Sequence, residues 1–83
     1  MATQRQKDYA WEKAEKVIKG KNPDTWRRDS AGNLIRRGSY GTLGEYGWEV
    51  DHKNPKSKGG TDHLRNIQAL HWRHNRSKGD KIS

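Results

Sequence analysis

Hydrophobic material is the scarce resource of this sequence. Only 28% of its 83 residues are hydrophobic and there is no Phe, so Trp11, Trp26, Trp48 and Trp72 are expected to supply much of whatever core forms. A chain of this length is expected to fold as one small domain, residues 1–83, burying only about 60–65% of its unfolded surface. Its composition approaches that of disordered segments, so aromatic packing and a bound metal are both expected to stabilise the fold. With no Cys, a disulfide framework and a Cys-type structural zinc site are excluded.

Charge points to the partner. Eighteen Lys and Arg stand against 10 Asp and Glu, a formal net charge of +8. Such a surface favours a polyanion, because Lys and Arg contacts to phosphates release condensed counterions, and nucleic acid is preferred over a merely solvated basic face. No apolar run approaches transmembrane length and no signal peptide is visible, so no membrane partner and a cytoplasmic, intracellular location are expected. A monomer is the default oligomeric state.

Along the chain, Tyr9, Ala10, Ala14, Val17 and Ile18 line one face of a predicted helix over about residues 3–19, which Gly20 stops and whose role is to cover a sheet. Asn22-Pro23-Asp24 is turn chemistry. The segments TWRRD and NLIRR around Ser30-Ala31-Gly32-Asn33 read as a short hairpin with basic residues on its exposed side. Ser39 to Gly47 holds several Gly and reads as irregular, with Tyr40 and Tyr46 tucked inward. Trp48 to His52 alternates apolar with polar groups, which predicts a strand with Trp48 and Val50 toward the core and Glu49 and Asp51 on the other side. A basic loop from Lys56 to Asp62 follows, then a strand from Leu64 to Leu70 and a helix from Leu70 to Lys78 that Gly79 ends.

The chemistry-bearing residues cluster between residues 46 and 80. Four apart on the predicted helix, His71 and Asn75 would share a face and could reach one ion, although a packing or solvent-facing role is the commoner use of such a pair. Asp51 at the end of the neighbouring strand would complete a three-ligand set with open positions, as a catalytic metal needs. His74 lies off that stripe. His52 is the candidate general base, provided a local twist lets it share a site with Asp51. Asn66 is read as a loop-fixing amide, and His63 as an exposed loop histidine. Glu49 is a candidate supporting acid beside the ligands or a partner for an Arg. Arg65, Arg73, Arg76, Lys56, Lys58, Lys78 and Lys81 are candidates for holding flanking phosphates.

With the frame WEVDHKNPKSKGGTDHLRNIQALHWRHNRSKGD, the residues Asp51-His52, Asn66 and Asn75 resemble the HNH nuclease motif of the ββα-metal superfamily. The N-terminal half is similar to that of small free-standing bacterial or phage members. The resemblance implies an α+β fold, with a ββα-metal core joined to an N-terminal helix and a short basic hairpin. It also implies metal ligation by Asp51 and Asn75, a general base at His52 and a structural role for Asn66 within the catalytic motif. In the colicin-like branch a His one turn before the last ligand also binds metal, and His71 takes that place. Another branch carries paired CxxC motifs for structural zinc; here His71 and His74 stand at the second pair and nothing replaces the first. The expected activity is divalent-metal-dependent DNA cleavage, nicking with low sequence specificity. One Mg²⁺ or Mn²⁺ is the expected cofactor, and Zn²⁺ is expected to bind but to serve less well. The alternatives are a non-catalytic basic DNA-binding module and a zinc-structured His-rich module.

Overall fold

Thr3 opens the first helix. Its hydroxyl accepts from the Gln6 amide at 3.1 Å while the Gln6 side chain accepts from the Thr3 amide at 2.9 Å, a reciprocal cap that satisfies two otherwise unpaired donors. In the computed structural model, which describes residues 2–16 and 18–80, this helix α1 spans Gln4–Lys13. It is shorter than the predicted 3–19, and the cause lies in the next element. The buried Arg27 guanidinium donates to the carbonyls of Trp11 at 2.8 Å and Glu12 at 3.3 Å, the groups a longer helix would satisfy from within. Ala14 turns to extended backbone, and Glu15 exchanges 3.0 Å hydrogen bonds with Arg28. Val17 and Lys81 lie outside the described residues.

The first hairpin pairs β1 (Trp26–Arg28) with β2 (Leu34–Arg36) in antiparallel register, Arg27 opposite Ile35. Asp29 closes its turn by accepting from the amides of Ala31 at 3.0 Å and Asn33 at 2.7 Å. Arg28 and Arg36 are exposed as expected, but Arg27 is buried with Ile35, contrary to the expectation that the hairpin's basic residues face solvent.

The second hairpin pairs β3 (Trp48–His52) with β4 (Ile67–His71), from Trp48 opposite His71 to His52 opposite Ile67. Helix α2 (Trp72–Asp80) follows at once, so the strand starts and ends later than predicted and the helix runs past Gly79. His71 therefore belongs to the strand. Its backbone amide donates to the Asp29 carboxylate at 2.8 Å, and its ring Nδ1 accepts from the Arg73 amide at 3.1 Å, as the side chain before a helix does.

The core forms where α1 covers the second hairpin: Ala10, Trp11, Ile35, Trp48 and Ala69, with Ala14, Tyr40 and Val50 packed against them. Trp11 and Trp48 rings lie 5.3 Å apart, and Tyr40 meets Trp48 edge-on at 4.8 Å. Trp48 and Val50 thus face α1, as the alternation predicts. Trp26 and Trp72 are only partly buried, Trp26 against Tyr46 and Trp72 against His71, so two of the four tryptophans work at the periphery. Among the described residues no helix is long and apolar enough to cross a membrane.

Candidate active site

The end of β3 carries an acid and an imidazole in succession, and strand geometry sends them to opposite faces. Asp51 turns toward α2. Its carboxylate, only 9% exposed, accepts from Lys78 Nζ at 2.7 Å and from Gln68, its cross-strand partner, at 2.9 Å. Two residues earlier on the same face, Glu49 accepts from Asn75 Nδ2 at 2.9 Å and from Arg76 at 3.3 Å. Asn75 and Lys78 are three apart on α2 and hence neighbours on its surface, so strand and helix are stitched by two polar rungs, Glu49 to Asn75 and Asp51 to Lys78. Lys78 also donates to the His52 carbonyl at 3.1 Å.

His52 points the other way, into a cleft of ≈ 530 Å³ also lined by Thr3, Gln6, Tyr40, Glu49, Asp62 and Asn75. Its Nε2 lies 2.9 Å from Asp62 Oδ1, and Lys56 donates to Asp62 Oδ2 at 3.0 Å. The hydrogen bond to His52, and after it the one from Lys56, holds the Asp62 carboxyl below the usual aspartate value. Across the cleft, burial raises the Tyr40 phenol above its ordinary value and the nearby Glu49 charge adds to the effect.

Asn66 ties the loop between β3 and β4. Its Oδ1 accepts from the Asn54 amide at 3.0 Å, and its Nδ2 donates to the carbonyls of Asn54 at 3.1 Å and Thr61 at 2.7 Å. One side chain thus satisfies three backbone groups of an irregular segment that has no ladder to pair with.

The structure brings Glu49, His52 and Asn75 to one cleft, while Asp51 turns away from His52 against Lys78 and Gln68, so the local twist expected to let Asp51 and His52 share a site does not occur. It does not bring His71 to them. Paired with Trp48 in register, His71 lies on the α1 side of the hairpin, and its Nε2 is bonded to the Glu45 carbonyl at 2.7 Å. With Nδ1 capping α2, both ring nitrogens are engaged, so the expected helical pair of His71 and Asn75 does not form. His63 and His74 are exposed. Of the basic candidates, Arg76 and Lys78 are paired to the two acids, Arg73 lies over the Trp72 ring at 5.1 Å, and Arg65, Lys56 and Lys58 are exposed. Two residues escaped the sequence reading. Gln68 is visible only once the strand register is known. Asp62 had one signal, being the lone carboxylate between Asp51 and Asp80 in an otherwise basic stretch.

Among the described residues no three His, Cys, Asp or Glu side chains gather as a metal-binding group. The donors themselves are oxygens of the kind a hard cation takes, although Asn75 is held by Glu49 and Asp51 by Lys78 on separate rungs. A carboxylate oxygen of Asp51 and the His52 carbonyl already hold the positive ammonium of Lys78, and among the described residues no donor reaches the Asn75 amide oxygen.

A two-stranded hairpin with a helix against one face, an acid and a histidine at the strand end and an amide-locked loop defines a ββα nuclease core within an α+β fold. The family model described as HNH endonuclease matches residues 38–81, more than half of the chain, and the protein belongs to that family. No curated protein and no solved structure gives a match. Nuclease activity is the class of function that the family carries.

Proposed function

We propose that the protein is a divalent-metal-dependent endonuclease that hydrolyses DNA phosphodiester bonds, nicking one strand at a time with low sequence specificity. The observation that carries this reading is the division of labour at the end of β3: Asp51 turned to the oxygen-rich face against α2, His52 turned into an open cleft that Asn75 also lines. One Mg²⁺ or Mn²⁺ would be held by Asp51 and Asn75, the hard oxygen donors suiting these ions better than Zn²⁺. When bound, the ion would supply charge stabilisation to the phosphate and the leaving 3′ oxygen. His52 takes the proton from the attacking water, whose oxygen bonds to phosphorus while the bond to the 3′ oxygen breaks; the 3′ oxygen takes a proton from solvent, leaving a 3′ hydroxyl and a 5′ phosphate.

The remaining residues prepare these two. Asn66 fixes the loop that follows His52, and Glu49 orients the Asn75 amide by accepting from its Nδ2. Exposed Arg65, Arg73 and Lys58 hold phosphates that flank the broken bond, consistent with the +8 charge, in an intracellular setting. With one active site and, among the described residues, no separate element shaped to enter the major groove, a monomer cuts one strand per encounter and reads little sequence. Incubation of supercoiled plasmid with the full chain tests this: nicked circles are expected with Mg²⁺ or Mn²⁺ and none with EDTA. Equal nicking in EDTA would sink the metal-dependent reading.

A further inference from the structure

We infer that Asp62 is a positioning residue for His52, fixing the imidazole so that Nε2 carries the proton and Nδ1 is left to take one from water. The inference rests on the nuclease reading above. A deprotonated carboxylate only accepts, so the ring nitrogen 2.9 Å from Asp62 Oδ1 must donate, and the neutral ring then has its acceptor at Nδ1. One contact thus selects both the rotamer and the tautomer of the base.

An aspartate whose side chain is 58% exposed does not hold such a contact by its own strength. The loop supplies the constraint. Asn66 grips the Asn54 backbone, two residues after His52, and the Thr61 carbonyl, immediately before Asp62. The Lys53 amide adds a 2.7 Å bond to the Asn66 carbonyl. Gly60 presses so closely on Asn54 that a Cβ there would overlap its carbonyl oxygen. Lys56 anchors the far carboxylate oxygen at 3.0 Å. The path Asn66, Thr61, Asp62, His52 therefore carries the position of a backbone lock to the ring of the base. A negative charge at the mouth of a phosphate site opposes substrate binding; Asp62 is instead engaged by His52 and by Lys56.

The test compares the full-length wild type with Asp62→Ala and Asp62→Asn in steady-state plasmid nicking with Mg²⁺, and reads the His52 ring nitrogens by long-range ¹H–¹⁵N NMR without metal. Loss of one charge-assisted hydrogen bond predicts a kcat for Asp62→Ala lower by about tenfold with KM changed by less than about twofold. The His52 spectrum should pass from a single Nε2–H tautomer to a mixture. Asp62→Asn keeps an oxygen acceptor and should restore most of kcat and the single tautomer; thermal melts identify any variant that has lost its fold. A rise in KM alone, or an unchanged His52 spectrum with normal kcat in Asp62→Ala, overturns the inference and leaves the nuclease reading standing. A wild type that leaves DNA intact in the presence of metal overturns both.

Discussion

Arg27 places a charge in the driest part of the molecule. Its guanidinium lies 5.3 Å from the Trp11 ring, has only a long 3.9 Å ion pair to the exposed Glu12 carboxylate among the described residues, and spends its donors on the Pro23, Trp11 and Glu12 carbonyls. Truncation would leave the end of α1 unsatisfied and open space beside the core. Arg27→Ala is expected to cost about 3 kcal/mol, read as a lower urea midpoint, while the exposed Arg28→Ala should cost less than about 0.5 kcal/mol. Equal costs would mean that Arg27 is not the cap of α1. In the run TWRRD, nothing distinguishes these two arginines, because which of them turns inward depends on a pairing register set by Ile35 on the other strand. How Asp51 and His52 face was legible for the opposite reason: period-2 alternation writes facing directly into the sequence, and the local twist expected to bring them into one site does not occur.

At the scale of elements, the strand β3 and the first hairpin were readable from alternation and turn residues, and the β4–α2 junction was not. His71 looks like the second residue of a helix that begins at Leu70, but ladder pairing with Trp48 and the distant Asp29 carboxylate, accepting from its amide, hold it extended. With its ring nitrogens also engaged by the Glu45 carbonyl and the Arg73 amide, His71 is kept away from Asp51 and Asn75. The rungs between β3 and α2 yield a prediction of their own. Lys78 neutralises a nearly buried Asp51, so Lys78→Met should lower stability by roughly 2 kcal/mol without metal. A divalent ion at Asp51 would no longer compete with the ammonium, so Mn²⁺ binding by calorimetry should tighten by roughly tenfold. Unchanged affinity in Lys78→Met would show that Asp51 is not where the ion binds.

For the whole molecule, a thin core and a large positive charge divide the work between folding and binding. The buried cluster around Trp11 and Trp48 holds α1 to the second hairpin, and the net charge of +8 suits the surface to a polyanion, as the proposed function requires. Binding and cleavage should therefore separate cleanly at His52, which lines the cleft and contributes little to the basic surface. The decisive measurement is nicking and DNA affinity, side by side, for the wild type and His52→Ala in Mg²⁺. Affinity is expected within about twofold of the wild type, and the nicking rate lower by about 10²- to 10⁴-fold, the usual contribution of a general base. Nicking by His52→Ala at the wild-type rate would contradict it.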